Sequence, residues 1–226
     1  MAAIRSQIAA AATRAERAIE SITLVAVSKT QPAAAIVALA ELGQRDFGEN
    51  YLQEAIGKIQ ALRGRSPQLV WHFIGQLQSN KTRPVAEHFD WVHTVDRLKI
   101  AERLSQQRSP HGPPLQVCLQ VKLGDEVTKA GLTPAELPAV LRAVVALPRL
   151  QVRGLMALPP AETDESAQRR WFAELRQLLM THQPEFPGLD TLSMGMSADL
   201  TAAILEGSTV IRVGTALFGE RLQSPA

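Results

Sequence analysis

The sequence predicts an α/β fold: a single (β/α)8 TIM barrel with an extra N-terminal helix and one domain over residues 1–226. Three observations predict it. Short apolar, β-branched runs alternate with longer segments of helical periodicity along the whole chain. Eight such runs occur, the strand count of a closed parallel barrel, and they recur about every 27 residues, room for one strand and one helix. No break in composition divides the 226 residues, of which 46% are hydrophobic and 20% charged, ordinary values for a globular chain.

Taken in order, residues 3–20 predict a helix rather than a signal peptide. The alanines lack a bulky apolar stretch, and Arg14, Glu16 and Arg17 interrupt them. Ile22–Val27 predicts the first strand, and Pro32 suits the first turn of a helix to about Leu42, with Gly43 as its stop. Asp46–Gly48 is a short second strand, after which Asn50 can cap a helix from Tyr51 to about Leu62. Leu69–Ile74 predicts the third strand, followed by a helix from about Ser79 to His88. Trp91–Val95 predicts the fourth, with Asp96 as cap of a helix ending near Arg108. Beyond the turn-rich Ser109–Pro114 comes the fifth strand, Leu115–Val121, and Thr133-Pro134 with Glu136 opens a helix to about Ala146. Gln151–Met156 is the sixth strand, and the spacing of Trp171, Leu175 and Leu178 predicts a helix to about His182. Thr191–Ser193, a helix from about Ala198 to Glu206, and Thr209–Val213 complete the eight units.

Composition excludes several function classes. A formal charge of +2 and 4% aromatic residues give neither the basic footprint nor the stacking platform of a nucleic-acid binder. The one cysteine, Cys118, excludes an internal disulfide and any multi-cysteine metal site, and the histidines show no metal spacing. No run approaches the roughly 18 apolar residues of a membrane span. A cytoplasmic location is expected.

In a barrel of this kind the site lies at the C-terminal ends of the strands, so the residues that follow each strand are the candidates. Met194-Gly195-Met196-Ser197 follows the seventh strand, where Ser197 can cap the next helix and leave its N–H groups for an anion. Gly214-Thr215 follows the eighth and can supply a second set. Singly these are a cap and a tight turn; together they point to a phosphate site.

Lys29 is sharper. The chain has six lysines against 18 arginines, and Lys29 directly follows the apolar first strand and Ser28, at the barrel's mouth. A lysine reaching for solvent is the plainer reading. Opposite a phosphate site, a partly desolvated amine suits capture of a phosphate-bearing carbonyl as a Schiff base, and pyridoxal phosphate (PLP) fits. Arg212 interrupts the apolar eighth strand and needs a partner. That partner is either a carboxylate or the pyridine nitrogen of PLP, which a permanently protonated arginine would keep unprotonated. His72 alternates with Trp71 and Phe73 and so faces the barrel interior, as a hydrogen-bonded core histidine or a ligand contact. Asn50 is a helix cap or a contact to the ligand ring.

Ala26–Thr30, Phe47–Asn50, Trp71–Gly75 with Gln78–Lys81, Leu192–Ser197 and Ile211–Thr215 with Phe218-Gly219 resemble the PLP homeostasis proteins. Gly131 and Gly154–Met156 also fit, so the resemblance runs along nearly the whole chain. That family looks like the barrel domain of alanine racemase standing alone. The resemblance implies that Lys29 carries PLP as a Schiff base and that Arg212 faces the pyridine nitrogen. It also implies that Ser197, Gly214 and Thr215 hold the phosphate, with Asn50, His72 and Met194 close to the cofactor. Lys122 departs from the asparagine many members have there; it is a second amine for PLP or the partner of a carboxylate, and the second is favoured.

The resemblance implies control of PLP supply, with PLP-dependent apoenzymes as partners and a monomeric chain. The residues point the same way: a racemase needs a second base, and the one tyrosine, Tyr51, reads as packing. The chain also ends about 13 residues after the eighth strand, which predicts no second domain. A slow PLP-dependent racemase and a Schiff-base aldolase acting on a sugar phosphate are the alternative readings.

Overall fold

The computed structural model describes residues 1–64, 68–124 and 130–219. Eight parallel strands pair in sequence order and close into a barrel: β1 (Thr23–Val27), β2 (Asp46–Glu49), β3 (Val70–Phe73), β4 (Trp91–Val95), β5 (Leu115–Gln120), β6 (Leu150–Met156), β7 (Thr191–Ser193) and β8 (Val210–Val213). Between them run α2 (Ala33–Glu41), α3 (Leu52–Leu62), α4 (Thr82–His88), α5 (Leu98–Gln107), α6 (Leu137–Val145), α7 (Glu165–His182) and α8 (Leu200–Leu205). An added helix, α1 (Ala2–Arg14), precedes the barrel, and a short one, α9 (Thr215–Phe218), follows β8. All eight predicted strands are present, each within a residue or so of its expected bounds.

Two apolar layers hold the molecule together. Outward-facing strand residues such as Phe47, Phe73 and Leu119 pack with helix residues such as Ile36, Leu104, Leu141 and Phe172 in the main core. A second cluster joins Ile4 and Ile8 of α1 to Leu200 and Ile204 of α8 and to Ile211 and Val213 of β8. The N-terminal helix thus covers barrel wall beside the short α8.

Strand periodicity sends the alternate residues inward. Val25 pairs in register with Arg212, and Gly48 with His72, so these four side-chain positions share the interior face. Closure is tight at Gly154, where a Cβ would lie 1.8 Å from the Thr191 carbonyl oxygen.

Helix boundaries depart from expectation in four places. The first helix stops at Arg14 instead of reaching residue 20, because Glu16 adopts a left-handed φ of 53° and the N–H groups of Glu16 and Arg17 bond back to Thr13 and Ala12. This is the hydrogen-bond pattern of a glycine-type helix stop, built without glycine. The same pattern at Gly43, φ 87°, ends α2 where glycine predicted it. Asn50 does not cap α3, whose cap position is Tyr51, and Asp96 does not cap α5, whose cap position is Arg97; Asp96 pairs with Arg97 instead. Ser197 does not cap α8, which begins at Leu200; Asp199 holds the cap position and its Oδ1 accepts the Met196 N–H at 2.6 Å.

Candidate functional site

Lys29 sits immediately past the end of β1, on a turn fixed from several sides. The Gln31 N–H closes the turn on the Ser28 carbonyl, and the Thr30 N–H donates to Glu54 Oε1 at 2.6 Å. Thr30 itself has a φ of 64°, a left-handed conformation costly for a β-branched residue. Beneath the turn, Lys58 Nζ donates to the Ser28 carbonyl at 2.7 Å and to Glu49 Oε1 at 2.8 Å, and Ser28 Oγ donates to the same Glu49 oxygen at 2.6 Å. Glu49 is wholly buried, and desolvation pushes its carboxyl above the usual range against the pull of Lys58 and Ser28. The turn that carries the strain at Thr30 thus rests on a buried ion pair, and Lys29 stands half-buried at the barrel's mouth.

Gly214 lies beside this turn. A Cβ there would be 3.4 Å from the Val27 carbonyl oxygen, so the ends of β1 and β8 abut two residues before Lys29. The first turn of α9 leaves the Thr215 and Ala216 N–H groups without an intrahelical acceptor. On the neighbouring β7 loop the Ser197 and Ala198 N–H groups also have no acceptor among the described residues, and Ser197 is exposed. The Arg212 N–H to the Gly195 carbonyl, 3.0 Å, ties the two loops together. Exposed donors on the loops after strands seven and eight are where barrels of this kind take a phosphate.

Arg212 is buried and reaches across the barrel. Its guanidinium donates to Ser193 Oγ at 2.6 Å and to the Ala157 carbonyl at 3.1 Å. Among the described residues no carboxylate pairs with it, so the salt-bridge alternative is set aside. Burial lowers it to about 10, against the attraction of Asp199, and it stays protonated at neutral pH.

His72 is placed deeper than a mouth residue. Its Nε2 lies 3.0 Å from Asp46 Oδ1 and its Nδ1 lies 2.9 Å from His93 Nε2, so both nitrogens are committed inside the barrel. His93 Nδ1 in turn lies 2.7 Å from Ser193 Oγ. Met194 is wholly buried in the main core. Cys118 is buried as well, its thiol pushed up to about 12 by desolvation, which leaves it inert as a nucleophile.

Over the ends of β2–β6 lies a cavity of about 250 Å³ walled by Asn50, Gly75, Thr94, Gln120, Lys122 and Leu158, among others; Lys29 is not one of its walls. Asn50 Oδ1 is buried there without a hydrogen-bond partner, an acceptor that a ligand hydroxyl would satisfy. Lys122 has no ion-pair partner among the described residues, and the carboxylates that follow it, Asp125 and Glu126, lie outside them. Tyr51 is 53% exposed rather than packed. Sequence reading missed Glu49 and Lys58 under the Lys29 turn, and Ser193, His93 and Asp46 beside His72. The one signal available for the last three was a polar residue at inward parity in a strand.

Comparison with known proteins places the chain by family and fold. The alanine racemase N-terminal domain family matches residues 1–222. The PLP homeostasis protein of Pseudomonas aeruginosa is 57% identical over 98% of this chain and 94% of its own, and that of Escherichia coli is 51% identical over 98% and 95%. The chain belongs to the pyridoxal phosphate homeostasis protein family. PipY of Synechococcus elongatus, solved with PLP bound, superposes with a TM-score of 0.83 at 44% identity, over 96% of this chain and 100% of its own. The alanine racemase of Clostridium difficile, 16% identical, superposes at 0.67 over 91% of this chain and 53% of its own, a likeness of fold alone.

Proposed function

We propose that this homeostasis-family member binds PLP at the barrel's mouth through Lys29 and holds it for supply to apoenzymes rather than for turnover. The observation that carries this is the meeting of the β1 and β8 ends, where the Lys29 turn adjoins Gly214 and Thr215 while Arg212 stands inside. PLP supplies an aldehyde that an amine captures and a ring that, once its nitrogen is protonated, draws electrons from whatever is attached.

The residues present fit that group. Lys29 offers the amine; the N–H groups of Ser197, Ala198, Thr215 and Ala216 offer donors for a phosphate; Asn50 offers an unpaired buried acceptor to a ring hydroxyl. Arg212 offers the ring nitrogen a hydrogen bond but no proton, which keeps the electron-drawing power low and suits storage. Tyr51, exposed on the rim, is not held against the site as a second base would be. In our reading the chain works in the cytoplasm as a monomer, which sedimentation of the purified protein checks.

Borohydride trapping followed by peptide mapping tests the proposal. PLP is expected on the peptide holding Lys29, and Lys29→Ala is expected to lose the visible absorbance of the loaded protein. Label on Lys122 instead, or absorbance surviving in Lys29→Ala, sinks the assignment. Because Lys122 brings a second amine into the mouth cavity, a slow racemase is the second reading. α-Deuteration of a single-enantiomer amino acid well above the rate with free PLP would favour it.

A further inference from the structure

Inward positions of a parallel barrel are ordinarily filled by layers of bulky branched apolar side chains. Here an unbroken polar line runs instead from Arg212 at the mouth through Ser193, His93 and His72 to Asp46 at the opposite end of the barrel. Four of its five members are wholly or almost wholly buried. Such a line is tolerated only when every donor meets an acceptor, and that requirement fixes its direction.

A guanidinium only donates, so Ser193 Oγ accepts from Arg212, and the one hydroxyl proton is left for His93 Nδ1. His93 therefore carries its proton on Nε2 and donates it to His72 Nδ1. His72 likewise carries its proton on Nε2 and donates it to Asp46 Oδ1. The reversed order would set a bare imidazole nitrogen against the carboxylate. A second proton on His72 would set two N–H groups against each other, and one on His93 would leave the Ser193 proton without an acceptor in the line. Asp46 borders an open cavity of about 440 Å³ at the N-terminal face, which keeps the terminal carboxylate in reach of water. Among the described residues no three metal-ligating side chains converge, so a bound metal does not explain the histidine pair.

We infer that Ser193, His93, His72 and Asp46 are positioning residues for Arg212, forming a one-way chain of hydrogen bonds that holds its guanidinium where the cofactor's ring nitrogen would meet it. The inference rests on the PLP reading above. A guanidinium yields its proton far less readily than a carboxylic acid, so the chain carries orientation and no net proton. It also corrects the place of His72, which acts on the cofactor through three intervening side chains.

Two experiments test it. Heteronuclear NMR of the imidazole nitrogens, on unloaded protein at neutral pH, is expected to show His72 and His93 as neutral Nε2–H tautomers. A charged or Nδ1–H form of either overturns the chain, whatever the protein binds. Ser193→Ala and Asp46→Ala then cut the chain at its two ends. Each is expected to weaken PLP retention roughly tenfold and to shift the visible band of the loaded protein. Ser193→Thr and Asp46→Asn, which keep the hydroxyl and the acceptor, are expected to restore both readouts. Wild-type retention and spectrum in both alanine variants overturn the positioning role. Where an alanine variant fails to fold, the conservative variant and the tautomers still decide. Failure of the wild-type protein to take up PLP would sink the cofactor reading and leave the NMR result as judge of the chain.

Discussion

At the scale of single residues, His93 has the clearest consequence in solution. Burial, with the His72 and Arg212 groups beside it, holds its imidazole well below the usual value of 6.5. The native protein therefore keeps His93 neutral at pH values where the unfolded chain takes up a proton. Stability is complete above about pH 6.5 and falls as pH drops below it, by up to about 1.4 kcal/mol per pH unit for this one group. Urea midpoints measured from about pH 7.5 to about pH 5.5 should show that loss, and His93→Gln should flatten it. An equal slope in the variant would assign the loss to other groups.

At the scale of elements, the turn after β1 is held by α3. Lys58, on that helix, is almost fully buried against Glu49, which is wholly so. Removing one partner leaves a buried charge alone, so Lys58→Met should cost about 3–5 kcal/mol and loosen the turn that presents Lys29. Adding Glu49→Gln should return much of that stability, because the uncompensated charge goes with it. Thermal unfolding of the single and double variants checks this, and a double variant as unstable as the single one refutes it. Sequence alone read Lys58 as one more helical lysine, since nothing local says that its helix face meets the Ser28 carbonyl. The end of α1 was hidden for a related reason: Glu16 takes the left-handed stop position without the glycine that signals it.

At the scale of the whole molecule, α1 is a cover for the β8–α8 wall. Deleting residues 1–14 would bare Leu200, Ile204, Ile211 and Val213 and should cost at least about 3 kcal/mol, read as a lower unfolding midpoint and as new binding of an apolar dye. A truncated chain with the original midpoint and no dye binding would deny α1 that role.

The barrel was legible because its signals are local: a strand of period two followed by a helix of period 3.6, eight times. The placing of Lys29, Gly214 and Thr215 just past strand ends was legible too, since each follows a run with strand periodicity. The caps Asn50, Asp96 and Ser197 were misread because a capping residue type near a helix start says nothing about which way the chain turns into the helix.

Sequence by itself determined the number and order of the strands, the inward side of the third, and the lysine that follows the first. Tertiary structure alone decided which inward side chains touch. Asp46, His72, His93, Ser193 and Arg212 come from β2, β3, β4, β7 and β8, and barrel closure and strand register bring them into one line. The physical reason is range: periodicity fixes a side chain's direction within its own strand, while its hydrogen-bond partner is set by the stagger between strands far apart in sequence.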